Sequence, residues 1–479
     1  MKKSKFFTTV FFACAFALFS GACAQSEHGL AGAAEVVNVD APFEMPAIIP
    51  PAFPARDFSI TDFGAKSGED FDNTKSIAAA IDACSRAGGG RVVVPAGLWR
   101  TGAVRLKSNV NLFLSENAEL RFYGDPQRYL PAVQSSWEGL ECFNYSPLVY
   151  AFGCENIAIT GSGTLRAEME TWTKWMGRSP AHAAALRRLY DMGAADVPVA
   201  ERQMAVGENN LRPQFIQFNR CKNILLEGIK IRESPFWTIH IFMSENGVLR
   251  NLDVRALGHN NDGVDLEMSR NFLVENCTFN QGDDAIVVKA GRNRDGWRLN
   301  TPSENIVVRN CTVGAGHGLI VIGSELSGGV RNVYAENCRM LNNPLAQSLR
   351  VLTIKTNYRR GGFVENVFLK NIRAGKLKSS VFFLHTGVFY QWKDFPDYEK
   401  RITKIDNIRL ENIECEESSS AYDITGDATL PPRNVVLKNV KIGRVVNFLR
   451  KLENCPDLKV ENLAYGQLLG AIDKPAKKK

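Results

Sequence analysis

One spacing recurs through this chain of 479 residues and restricts what it can fold into. An asparagine is followed by alternating apolar residues and then by a second asparagine five places on. The pairs are Asn246/Asn251, Asn271/Asn276, Asn305/Asn310, Asn332/Asn337, Asn366/Asn371, Asn407/Asn412 and Asn434/Asn439. Weaker copies start at Asn156 and Asn223, and Asp457/Asn462 closes the series. The shortest steps, Asn246 to Asn271 and Asn434 to Asp457, are a little over twenty residues. Length alone would allow two or three domains, but a repeat of this period builds one continuous unit. The spacing predicts an all-β, right-handed parallel β-helix, a solenoid whose strands stack ~4.8 Å apart. Asparagine suits the bends, because its short amide tolerates turn dihedrals and can bond to the next coil's backbone. Cys277, Cys311 and Cys338 each follow a second asparagine, which predicts an inward ladder of small apolar side chains, not a metal site.

The flanks are read separately. Lys2, Lys3 and Lys5, the apolar run Phe6 to Phe19 and Ala22-Cys23-Ala24 predict a secretory signal over residues 1–24, cleaved near Ala24. The protein is therefore expected in the periplasm or medium, and lipid anchoring at Cys23 ranks second because Ser20 sits where a large aliphatic residue is usual. Residues 25–56, rich in Ala and Pro, read as an arm or linker. Asn73 is placed to cap a helix to about Ala87, with Ile77, Ala80, Ile81 and Cys84 on one stripe, which would close the solenoid's first end. The solenoid is expected over 57–470, interrupted by a helical insertion at about 166–210, and followed by a basic tail over 471–479. Three lysines of the leader and four of the tail, set against Asp473, account for all but one unit of the formal excess of +7, so the body is near neutral and charge implies no acidic partner. No nucleotide fingerprint or basic-aromatic strip suggests nucleic acid. No later stretch is long and apolar enough to span a bilayer. A monomer is expected, and no disulfide pairing can be assigned.

Acids in glycine-flanked turns mark the candidate site. The segments Cys277 to Val288 and Cys311 to Ile322 overlay so that Asp283 falls on His317 and Gly282 on Gly316. One coil earlier, the overlay sets Asp262 beside Asp283. Asp262, Asp283 and His317 are thus expected on three successive coils, with Asp284 at the turn and Asp265 facing the other way. A lone aspartate in a turn is more often an Asx-turn residue. Several in register suit glycoside hydrolysis, where one carboxyl gives a proton to the leaving oxygen and another, ionised, activates water or attacks. Like charges at close range cannot all ionise, so one pKa should rise and supply the acid. Loop aromatics Trp137, Trp172, Trp175, Trp297, Tyr390 and Trp392 could stack on sugar rings or serve as packing anchors.

These residues carry a resemblance. Asn260-Asn261-Asp262, Gly282-Asp283-Asp284, Gly316-His317-Gly318 and Thr353-Ile354-Lys355 resemble, in order, the four motifs of polygalacturonase-type members of glycoside hydrolase family 28. The likeness runs over roughly residues 57–465. It implies an inverting, single-displacement hydrolase of pectic chains with no cofactor or metal. Asp283 would be the general acid, Asp262 and Asp284 would hold and activate the water, and His317 would orient the acid or the substrate. Asn260, Lys355, Lys289, Arg292 and Tyr390 would bind substrate. The acid and base carboxyls would stand about 6.5–9.5 Å apart. Thr353 departs from the family pattern, which has Arg there; a guanidinium clamps a carboxylate through two parallel bonds and a hydroxyl cannot. Arg350, Arg359 and Arg360 are the other nearby guanidines. The resemblance therefore favours α-1,4 galacturonosyl linkages, with a rhamnogalacturonan linkage second. The segment Lys289 to Asn293 resembles that of exo-acting members. A calcium-dependent pectate-lyase-like activity and a non-catalytic carbohydrate-binding or adhesive β-helix are the alternatives on the same coil.

Overall fold

The computed structural model describes residues 36–343, 348–389 and 399–474. The signal, Cys23, Tyr390, Trp392 and Lys477 to Lys479 lie outside the described residues. The chain winds as a right-handed parallel β-helix. Twenty-two strands form one parallel wall and twelve form a second, from Val104–Arg105 at one end to Ala471–Asp473 at the other. That last strand continues the stack past residue 470, so the tail begins later than the composition suggested; Lys474 pairs with Asp423 at 3.5 Å. Alternation decides the interior. On four neighbouring strands, Val264, Leu266, Ile286, Val288, Ile320, Ile322, Leu352 and Ile354 point into the core, fully buried.

The asparagines stand at the bends with positive φ, for example 57° at Asn305 and 57° at Asn332. Their amides bond mainly to each other. Asn305 Nδ2 donates to Asn271 Oδ1 at 3.0 Å and Asn305 Oδ1 accepts from Asn332 Nδ2 at 2.9 Å. The expected bonds to the next coil's backbone are replaced by an amide ladder, because stacked bends bring identical side chains within reach. Cys277, Cys311 and Cys338 lie buried and free in the core, as do the other six described cysteines.

Helix α1 (Thr74–Arg86) covers the first coil with Ile77, Ala80, Ile81 and Cys84. Asn73 does not cap it by its side chain; its amide pins Lys66 and Arg100, and Asp72 Oδ1 accepts from the Thr74 N–H instead. Residues 36–56 are no loose linker. Val37 and Ile48 pair antiparallel, and with Val39 they bury against Ala158, Leu225, Val248, Leu273, Val307 and Tyr334 on the outside of the large wall. The insertion holds α2 (Glu170–Met176) and α3 (Pro180–Ala194).

Candidate active site

The site sits on the outer face of the twelve-stranded wall, at the turns leading into Val264–Glu267, Ile286–Lys289 and Gly318–Gly323. Val264 is opposite Ile286, and Ile286 opposite Ile320. Carried back into the turns, that register sets Asp283 level with His317, as expected. It sets Asp262 level with Asp284 and not with Asp283. The overlay was one residue out because a turn offers no alternation to count through. Asn261, the residue level with Asp283, is buried: its Nδ2 donates to the carbonyls of Ser234 and Phe236 and its Oδ1 accepts from Gly258 N–H.

Asp283 and His317 form a pair, Oδ1 to Nδ1 at 3.0 Å, with the imidazole half exposed. A cleft of about 550 Å³ opens beside the ring, between Arg255, Asn280, Gly282 and Lys378. Lys355 Nζ donates to Asp284 Oδ2 at 2.8 Å. One oxygen of each of Asp283 and Asp284 and one His317 nitrogen lie within 4.8 Å of one another. This is closer than the interval expected between acid and base. A single water can still reach both oxygens, since two bonds of ~2.8 Å span such a gap. The same three donors could gather a cation, but the Lys355 ammonium already lies against Asp284.

Behind this open pair lies a buried charge cluster. Lys289 Nζ stands 3.4 Å from Glu325, 3.6 Å from Asp265 and 3.8 Å from Asp262, with the Trp237 ring 4.5 Å away. Asp265 therefore does not face away from the site. Asp262 belongs to the turn, so strand alternation does not set the two apart. Arg292 bonds to Glu138 at 3.0 Å and Glu325 at 2.6 Å. Lys289 and Arg292 were expected to meet substrate; both are buried and engaged with the protein's own carboxylates. Arg360 is buried too, donating to Ser324 O and Asn293 Oδ1, and Arg359 is buried near Phe389. Arg350 lies over the Phe383 ring. Thr353 is buried on the outer side of its strand, and Lys355 two places on is the cation of that motif that faces the site. Asn260 accepts at Oδ1 from two arginines, Arg178 and Arg212. Glu325, Arg178 and Arg212 were not singled out in sequence; none falls in a motif or at a repeat position.

Proton affinities run opposite to the expected order. Burial pushes Asp262 well up, reinforced by the charges of Asp265 and Asp283. Burial pushes Asp265 up likewise, against the pull of Lys289. Burial acts on Asp283 too, but the His317 hydrogen bond and the charges of Lys355 and Lys289 outweigh it and bring that carboxyl down to about 2. The same bond raises His317. The open pair therefore favours its proton on the imidazole, and the carboxyls whose surroundings favour the protonated form are Asp262 and Asp265.

The groove is closed on one side. On the two coils before the turn that bears Asp262, and on the strand that follows it, the outward residues Gln217, His240, Asp265 and Glu267 are fully buried. They lie on the side covered by the hairpin Val133–Trp137/Leu140–Asn144 and by α3, whose Trp137, Leu140, Leu186, Leu189 and Tyr190 form a second apolar cluster with Phe236 and Trp237. On the coils after, Phe383, His385 and Asp423 are only partly covered. Trp137 and Trp172 are packing anchors; Trp137 stacks on Phe236 at 4.7 Å and Trp172 sits edge-on to Tyr129. Trp297 is held by Arg360 O and by the Arg401 guanidinium 3.8 Å from its ring.

The chain is similar to several known proteins. The chain is 38% identical to a hyperthermoactive exopolygalacturonase from Thermotoga maritima of known structure, with a TM-score of 0.81 over 87% of this chain and 93% of that one. It is 25% identical over 440 residues to an exo-poly-alpha-D-galacturonosidase from Dickeya chrysanthemi, covering 86% of this chain and 71% of that protein. It is also 25% identical over 423 residues to a probable polygalacturonase from Vitis vinifera, covering 86% and 79%. The family model for glycosyl hydrolases family 28 matches residues 201–462, more than half the chain and all four motifs. With two acids and a histidine gathered at those motifs on successive coils, the chain belongs to family 28 of the glycosyl hydrolases.

Proposed function

We propose that the protein removes terminal sugars from the α-1,4-linked galacturonic acid chains of pectin. The observation that carries the endwise part is the buried run Gln217, His240, Asp265 and Glu267, which leaves no path for a chain to continue past the catalytic turns on that side. The naming of two of the similar proteins as exo-acting supports the same reading.

The chemistry follows from the pairs. Asp283, with His317 at 3.0 Å, forms a unit that shares one proton. The ring stores it, and Asp283 Oδ1 passes it to the leaving oxygen when the incoming sugar displaces water from the pair. Asp284, oriented by Lys355, takes the proton of the attacking water on the side away from the leaving oxygen. Asp262, whose burial favours the protonated carboxyl, donates a hydrogen bond to that water and leaves the role of base to Asp284. Attack by water opposite the departing oxygen inverts the anomeric centre. A rhamnogalacturonan linkage is the second reading, favoured by Thr353 where the family has arginine.

Digestion of long polygalacturonate, followed by anion-exchange chromatography and proton NMR, tests this. Terminal mono- or disaccharides from the first minutes, with inverted anomeric form, are expected. Early oligomers of intermediate length would sink the endwise reading. An unsaturated, ultraviolet-absorbing product would point to a lyase. The reading includes export, resting on Lys2 to Ala24; fractionating cells that express the chain with and without residues 1–24 checks that.

A further inference from the structure

Two guanidinium groups converge on one neutral oxygen at the closed side of the groove. Arg212 Nη2 donates to Asn260 Oδ1 at 3.1 Å, and Arg178 Nη2 donates to the same atom at 3.3 Å. Arg212 is fully buried; its Nη1 is bound to the carbonyls of Pro235 and His259, and its Nε has no hydrogen-bond partner. Neither arginine has a carboxylate partner among the described residues. Glu138, whose charge reaches Arg212, is engaged by Arg292 and by the Tyr190 hydroxyl at 2.7 Å.

On the large wall, by contrast, outward arginines pair with carboxylates along the coils, Arg250 with Glu227 and Arg309 with Glu275. A buried cation without a counter-ion is costly. Burial and the neighbouring Arg178 bring the Arg212 guanidinium down to about 9.

The pair is built into the catalytic turn. Arg178 is exposed and follows α2 with a left-handed φ of 52°. Met176, at the end of α2, packs where Gly258 lacks a side chain; a Cβ there would lie 2.5 Å from Met176 Cε. Asn260 stands two residues before Asp262, and the charges of Arg178 and Asp283 both reach His259 between these elements. On the far side of the site, the position where the family carries a guanidinium is Thr353.

We infer that Arg178, with Asn260 and the positive charge of Arg212 behind it, is the specificity-determining site for the carboxylate of the substrate's terminal uronic acid. The inference rests on the endwise hydrolase reading. A planar guanidinium donates two parallel bonds to a carboxylate, and the anion supplies the negative charge that the protein itself leaves out. The insertion then does two things: it stops the chain and reads the end it stops.

The test compares trigalacturonate with the same trisaccharide whose terminal sugar at the closed side is reduced to neutral galactose. Wild-type protein should prefer the charged substrate in kcat/KM by about 10- to 100-fold, the range for one charge-assisted contact. Arg178→Gln should bring that preference near unity, mainly through KM. Arg178→Lys should recover part of it. Thermal unfolding should be unchanged, because Arg178 is exposed and its one side-chain contact is long. A full preference in Arg178→Gln, or none in the wild type, overturns the assignment and leaves the hydrolase reading standing. No cleavage of trigalacturonate by the wild type overturns both.

Discussion

The Lys355 ammonium donates to Asp284 at 2.8 Å, across the strand Gly318–Gly323 that lies between their coils. A cation expected to meet a substrate carboxylate thus meets the protein's own Asp284, the proposed base, first. A uronate entering the site would share Lys355 with Asp284, which ties substrate binding to the readiness of the base. Lys355→Gln should therefore lower kcat as well as raise KM, with kcat/KM down about 100-fold or more. Steady-state kinetics on oligogalacturonate check it; a change in KM alone would restrict Lys355 to binding.

Asp283→Asn removes the proton path but keeps the size and shape of the side chain. Turnover should fall by at least about 10²–10⁴-fold, the usual contribution of general acid catalysis. The unfolding midpoint should stay close to that of the wild type. Reducing-sugar release and thermal denaturation together separate loss of chemistry from loss of fold.

The pair Asp283/His317 sets a pH window. Asp283 is lowered to about 2, so its share of the folded state's stability is present above its unfolded value and is lost as pH falls toward 2. His317 is raised, so its share is present below about 6.5 and is lost as pH climbs through the higher folded value. Activity should fall on the alkaline side as the ring gives up its stored proton. His317→Gln should remove that limb from the kcat profile, and an unchanged limb would assign it to another group.

Lys289 is the buried cation among Asp262, Asp265 and Glu325. Lys289→Met would take from Glu325 one of the cations that hold its carboxyl down, and would leave Asp262 and Asp265 with no cation beside them among the described residues. A loss of about 3–5 kcal/mol in stability is expected, because breaking a buried pair strands its partner. Guanidinium titration of the variant at pH 7 measures it; a deficit under about 1 kcal/mol would show that the cluster holds without the ammonium.

Asn305 tests the scaffold. It gives one bond and accepts another in the amide ladder while holding a φ of 57°. Asn305→Gly keeps the bend and loses the bonds, so a cost of about 1–2 kcal/mol follows. Asn305→Val adds backbone strain of about 1–3 kcal/mol to that. A larger shift of the denaturation midpoint for Val than for Gly checks the order.

The coil was legible because its grammar is periodic. Asparagine every five and every twenty-odd residues cannot serve a helix, and alternation such as Ile306-Val307-Val308 needs a sheet. The acids at Asp283 and Asp284 and the ring of His317 were legible because glycine-flanked motifs mark them. Three things were not. The level of Asp262 depends on a turn, which has no period. Whether Lys289 and Arg292 meet substrate or a hidden carboxylate depends on Glu325 and Glu138, which are remote in sequence. The low affinity of Asp283 for its proton depends on His317 and Lys355 arriving together in space, a sum of charges that composition does not record.

The segment around Val37 and Ile48 lies across walls contributed by residues as distant as Ala158 and Tyr334. A stacked solenoid ordinarily feels only its neighbours, so it can fray one turn at a time from either end. A girder laid lengthwise over half a dozen turns couples them all at once. The middle of the molecule, which bears the acids, should then open as a block or not at all.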